Sequence, residues 1–320
     1  MVETKNYAVA IGGSNVDILA TPKYKIIPKD SNNSEISISP GGVVRNIAEN
    51  LSLLKNNCHL ISVFGKDELG NFLKSKTISS GVSLKHSLTV SSEKTSSYLS
   101  INDLKGEMNI AFNDTKILKN LTPNFLSKKY SIILNSSAII LDANLQDETL
   151  EYVFKEFKDN YIFADPVSLT KSKKLKKYIK SINVLKPNLE EAILLYNLKT
   201  KNKYFNNELS NELNKKNTGK LLISLGHRGV ISFYNKEIKK YKTNKLSVKN
   251  ANGAGDALMA GLVHGQLKDW SWDYTVKFAI SMASIATQST ETVNPNINQK
   301  NVTNFLKENL ENGQIKFQTW

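Results

Sequence analysis

The sequence predicts an α/β fold with a mainly parallel central sheet, helices on both faces and a small β-sheet lid. Short apolar runs alternate with segments of helical periodicity along most of the chain, the pattern of crossover-connected parallel strands. A second set of strand-like segments alternates apolar and polar residues, which suits a half-exposed sheet. The chain has 320 residues, 40% of them hydrophobic, so a sizeable core is within reach of one large unit.

Residues 7–11 form a short buried strand ending at Gly12-Gly13. Isoleucines alternate with polar residues over 34–38, as in a half-exposed strand. Residues 60–64 read as a strand and 68–79 as a helix. Residues 96–101 and 107–112 are strand-like and joined by Asp103-Leu104-Lys105-Gly106, a hairpin turn. These polar-sided strands assign the lid to about 15–40 and 95–113. Strands at 138–141, 161–164, 182–185 and 221–224 then interleave with helices at 148–158, 189–196 and 207–216, and a further helix follows at 274–288. The Asn- and Lys-rich stretch 196–217 is expected to be loosely ordered at its start, and 301–320 to be a helix and a polar tail. With no repeat and no linker, 1–320 reads as a single domain.

The formal charge is +14, from 43 Lys+Arg against 29 Asp+Glu. That excess raises nucleic-acid binding, but only Arg45 and Arg228 are arginines, the usual residues for bidentate phosphate and base contacts. The lysines are scattered, and their densest cluster, 171–180, reads as a solvated helix face, so no specific nucleic-acid partner is expected. No apolar run is long enough to span a bilayer, and the polar start predicts no signal peptide. The one cysteine, Cys58, reads as a small buried hydrophobe and fits a reducing cytoplasm. The four histidines are dispersed without metal-ligand spacing. Trp270 and Trp272 follow a helix end and read as packing residues.

Two glycine loops open onto apolar helical runs. The late one is Asn250-Ala251-Asn252-Gly253-Ala254-Gly255-Asp256. A helix start carries partial positive charge and free N–H groups, so it can hold an anion. Gly253 and Gly255 can adopt the dihedrals that aim several N–H groups at one point. Asp256 is either a proton acceptor there or a plain helix cap. The early loop is Pro40-Gly41-Gly42-Val43-Val44-Arg45-Asn46, whose Arg45 and Asn46 suit hydroxyl recognition, or form a glycine turn with a solvated arginine. Asn15, Asp17, Asn144, Asp165, Asn188 and Ser224 all lie just after strand-like runs, where ligands sit in such folds.

The Gly41-Gly42 pair with Asn46, the Gly253–Asp256 loop, Asn15 with Asp17, the Lys186-Pro187-Asn188-Leu189-Glu190-Glu191 element and the loop from Ser224 to Gly229 follow one another in a familiar order. Together they resemble the ribokinase-like (pfkB) family of sugar and nucleoside kinases over nearly the whole chain. Segments 41–54, 95–100, 106–108 and 165–168 are most similar to the family's pseudouridine-kinase branch. The resemblance implies a ribokinase-like three-layer sandwich and ATP-dependent phosphorylation of pseudouridine at its ribose 5′-hydroxyl, or of another sugar or nucleoside such as ribose, inosine or fructose.

It further implies that Asp256 is the base and that Gly253, Ala254 and Gly255 stabilise charge on the transferred phosphoryl group. Asn15, Asp17, Gly41, Gly42 and Asn46 would hold the ribose. Arg45 and the Thr95-Ser96-Ser97 stretch would read the nucleobase, and Asn144 and Asp165 would lie beneath the sugar. Asn188, Ser224, Gly226 and Gly229 would line the nucleotide, with Glu191 supporting Mg2+ through water. Asn250 stands where ribokinases often carry an Asp near a monovalent cation, which leaves K+ open. A homodimer through the lid is a further implication. The rival of another class is a nucleoside- or sugar-binding sensor without catalysis, for which Asp256 would have no use.

Overall fold

The computed structural model describes residues 6–106, 108–200, 205–217, 219–242, 248–311 and 316–319. Glu107 and the chain start, on which sequence expectations fall, lie outside the described residues, as do 201–204.

The strands are β1 (Tyr7–Ile11), β2 (Asn15–Pro22), β3 (Ser34–Gly41), β4 (Asn57–Ile61), β5 (Val63–Gly65), β6 (Leu88–Val90), β7 (Ser97–Asn102), β8 (Met108–Asp114), β9 (Ala138–Asp142), β10 (Ile162–Asp165), β11 (Val184–Leu185), β12 (Lys220–Ser224), β13 (Val230–Tyr234), β14 (Glu237–Lys242) and β15 (Lys316–Thr319). The central sheet runs β15-β14-β13-β12-β11-β10-β9-β1-β4. From β4 to β12 its neighbours are parallel; β12 to β15 pair antiparallel.

Strand pleating places successive side chains on opposite faces. Ala8 and Ala10 of β1 and Ala138 and Ile140 of β9 enter one core, with the helices Val43–Leu53, Ala254–Leu267 and Trp272–Ala286. Val9, Ile11, Ile139 and Leu141 enter the other, with the helices Asp147–Glu156 and Leu189–Leu195. Both faces are covered, as buried parallel strands require.

β13 and β14 were not among the expected strands, and 316–319 is an edge strand on β14 rather than part of a polar tail. Glu237–Lys242 carries three lysines: Lys242 is exposed, and Lys239 and Lys240 are half-buried, in a strand held between β13 and the edge strand β15. The expected strand at 60–64 is two: β4 ends at Ile61, and β5 turns off to pair with β6. Cys58 is buried in the first core. Trp270 packs on His264 and Phe278, and the Trp272 indole N–H donates to Ser232 Oγ at 2.8 Å.

The second sheet, β3-β2-β7-β8, is the lid. Its register aligns Ile38, Ile18, Leu99 and Phe112 in one row, and Ile36, Ala20, Ile101 and Ile110 in the next. Ile36, Ile38, Leu99, Ile110 and Phe112 are exposed on this apolar face. The alternate residues Asp17, Leu19, Tyr98, Ser100 and Asn113 face a cavity below.

Candidate active site

The lid, the loops after β1 and β9, and the start of the helix Ala254–Leu267 enclose a cavity of about 530 Å³. Small-molecule sites occupy roughly 300–1,000 Å³. Asn15, Asp17, Gly42, Asn46, Ser97, Asn144, Gly253 and Asp256 line it, bringing together residues from most of the chain.

Asp256 lies in the first turn of its helix, whose N-cap is Gly253 with no side-chain cap. The cap role offered by the sequence is therefore not the one Asp256 plays. Its Oδ2 accepts a 2.8 Å hydrogen bond from Asn46 Nδ2. Burial, then repulsion by Asp165, pushes the Asp256 carboxyl up to about 7, against the pull of Asn46, Lys186 and Arg45. A carboxylate so poised holds or releases a proton near neutrality. The amides of Gly253, Ala254 and Gly255 open the same helix turn, at its positive end, where Gly253 lines the cavity. Gly253 has φ 79°, and a Cβ there would enter the Thr292 carbonyl. Gly42 has φ 104°, and a Cβ there would lie 2.5 Å from the Gly13 carbonyl oxygen.

Under the lid, the Asn15 amide donates to the Asp17 carboxylate. Burial raises the Asp17 carboxyl to about 6, against that bond and the charge of Arg45. Asn144 stands across the cavity, its Nδ2 donating to Asp142 and its Oδ1 accepting from Lys171 Nζ at 2.6 Å.

Four sequence expectations change here. Arg45 is only 1% exposed and does not line the cavity. Its guanidinium bonds the carbonyls of Gly41 and Pro40, Glu49 Oε2 and Asn46 Oδ1. It therefore fixes the glycine loop and orients Asn46 rather than reading a base. Gly41 likewise lies outside the lining, its carbonyl accepting from Arg45 and its backbone paired with Asn15. Asp165 is drawn off the cavity into a 3.0 Å ion pair with Lys186. Thr95 is also turned inward, bonding Asp67, while Ser96 and Ser97 line the cavity.

Sequence reasoning missed Asp142, Lys171 and Lys186. Asp142 is buried and accepts from the N–H groups of Gly13 and Asn144, shaping the turns after β1 and β9. Lys171 lines the cavity rather than a solvated face, and burial lowers its ammonium pKa despite the attraction of Asp142. Lys186 follows the apolar β11 at once, a signal that its side chain is carried into the interior.

The proposed nucleotide residues sit outside this cavity, at the ends of β11 and β12. Asn188 and Ser224 form a parallel bridge, and Ser224 N–H donates to the Pro187 carbonyl at 2.9 Å. Gly226 and Gly229 flank the tight turn to β13. Asn188 caps the helix Leu189–Leu195 in a reciprocal capping box with Glu191, which is buried. Burial pushes the Glu191 carboxyl up against the bond from the Asn188 N–H. The Asn250 amide donates to the Thr290 carbonyl, and its Oδ1 accepts from the Asn252 N–H.

Residues 5–299 match the pfkB family of carbohydrate kinases. The chain is 35% identical to the pseudouridine kinase of Escherichia coli, over 96% of this chain and 98% of that one. An Arabidopsis thaliana ribokinase complexed with ribose and ATP superposes with TM-score 0.82 at 20% identity, covering 94% of this chain and 98% of that one. An E. coli structure in complex with ATP and Mg2+ gives TM-score 0.79 at 14% identity, covering 94% and 99%. The fold, the family match and the full-length relative agree: this chain belongs to the pfkB family of carbohydrate kinases and is an ATP-dependent phosphotransferase acting on a sugar or nucleoside.

Proposed function

We propose that the chain transfers the γ-phosphoryl group of ATP to the ribose 5′-hydroxyl of pseudouridine. The observation that carries this reading is the Asp256 carboxylate, held on the cavity lining at a helix start by Asn46. Identity to the E. coli pseudouridine kinase supports the substrate.

A primary hydroxyl is a poor acid, so a carboxylate must take its proton as the bond to phosphorus forms. Asp256 Oδ takes that proton; the hydroxyl oxygen attacks phosphorus, and the bond to the bridging oxygen of ADP breaks. The N–H groups of Gly253, Ala254 and Gly255 hold the transferring phosphoryl oxygens, each such donor contributing about 3 kcal/mol in the transition state. Asp17, Asn15 and Asn46 hold the ribose hydroxyls, Asn144 lies beneath the sugar, and Ser97 reads the base. Asn188, Ser224, Gly226 and Gly229 line the nucleotide. The hard oxygens of Glu191 suit Mg2+ held through water, which when bound offsets phosphate charge. Asn250 already closes its loop on Thr290 and Asn252, which supports a reaction independent of K+.

The reading extends to one kinase domain in a cytoplasmic setting. No helix among the described residues is long and apolar enough to cross a membrane. Two copies pair through the apolar lid face of Ile36, Ile38, Leu99, Ile110 and Phe112.

The test is a panel of pseudouridine, uridine and ribose with Mg-ATP, followed by release of ADP. Pseudouridine should give the highest kcat/KM. Uridine differs only in how the base joins the sugar, so equal rates would remove the specificity claim. Faster turnover of ribose would make the chain a ribokinase.

A further inference from the structure

Lys186 has no role in the mechanism above, yet its placement is unusual. Its ammonium and the Asp165 carboxylate are 3.0 Å apart, with side chains only 8% and 7% exposed. Parallel pairing of β10 with β11 sets them side by side at the strand ends. A Cβ built on Gly255 would lie 3.2 Å from Lys186 Nζ. The ammonium therefore sits against the first turn of the helix that carries Asp256. Burial lowers its pKa, but Asp165, Asp256 and Glu191 outweigh this, and the net shift is upward, so the charge is kept. Burying an ion pair adds little to stability by itself. A fixed cation beside an anion-binding turn, in contrast, adds its own positive potential to that of the amide dipoles.

We propose that Lys186, clamped by Asp165 against Gly255, is a positioning residue whose ammonium adds positive potential at the Gly253–Asp256 turn for the transferring phosphoryl group. The inference rests on the kinase reading of that turn. Gly255 is small for a reason beyond its backbone: any side chain there would press on the ammonium.

The full chain is compared with Lys186→Met, Lys186→Arg and the double variant Lys186→Met/Asp165→Asn, which leaves Asp165 uncharged. Two rates are read with Mg-ATP: transfer to pseudouridine, and the slow hydrolysis of ATP by water without acceptor. Both should fall about 100-fold in Lys186→Met, with KM for pseudouridine within about threefold of wild type. Lys186→Arg should recover about a tenth of the wild-type rates. The double variant should melt near the wild-type Tm and stay slow. Recovery of both rates in the double variant would overturn the proposal, making Lys186 merely the partner of Asp165. Wild-type rates in Lys186→Met would also overturn it. If the wild type phosphorylates no pseudouridine, the substrate reading fails, while ATP hydrolysis still reads Lys186.

Discussion

Asp256→Asn should slow the enzyme and stabilise the protein, and the second effect depends on pH. Burial and the nearby Asp165 raise the Asp256 carboxyl from 3.8 to about 7. That is about three pKa units at about 1.4 kcal/mol each, or about 4 kcal/mol as an upper bound. Below about pH 4 the group is protonated in the folded and the unfolded chain and changes nothing. Between about pH 4 and 7 the unfolded chain has lost this proton while the folded one keeps it, so stability falls as pH rises. Above about pH 7 the full penalty applies. The replacement amide stays neutral throughout and can turn its oxygen to Asn46. Urea melts of ligand-free protein should show equal stability near pH 4, and at pH 8 a variant more stable by up to about 4 kcal/mol. Its kcat should fall roughly 10²- to 10⁴-fold, and wild-type kcat should rise with pH through about 7. Matching melts at pH 8 would refute the account of a buried, strained charge. Unchanged kcat would refute the base.

Three further outcomes follow from the same geometry. Asp17→Asn should raise KM for the nucleoside about 10- to 100-fold, the worth of a charged hydrogen bond, with kcat less affected. In the wild type, affinity should improve as pH rises through about 6, where Asp17 becomes a carboxylate; isothermal titration from pH 5 to 8 checks this. Gly253→Ala forces a side chain into φ 79° and onto the Thr292 carbonyl, so it should cost about 1–3 kcal/mol of stability and lower kcat, read by melting and kinetics. Ile38→Asp with Phe112→Asp places charge on the apolar lid face, and sedimentation velocity should move from dimer to monomer, whereas identical profiles would remove the lid interface.

The parts legible in the sequence were those with local signatures. Gly42 and Gly253 stand where backbone geometry excludes side chains, so their loops are marked in the residue types themselves. The parallel strands from β4 to β12 are short apolar runs because both their faces are covered. β14 was not legible because three of its six residues are lysines, and periodicity there resembles a loop. Arg45 carried a charge that normally signals solvent or substrate; only the fold shows two carbonyls, Glu49 and Asn46 consuming its donors. Lys171 and Lys186 were hidden by a composition rich in scattered lysine, against which two interior ammonium groups do not stand out.

The lid's pleat has a consequence for how the chain can vary. Along β2 and β7, neighbouring residues serve opposite masters: Asp17 and Tyr98 line the cavity, while Ile18 and Leu99 lie on the other face of the sheet. Deleting one residue from β2 would invert the strand, turning grease into the cavity and a carboxylate toward the outside world. Lid length can therefore drift only in steps of two, and the cavity lining and the exposed apolar face must change together.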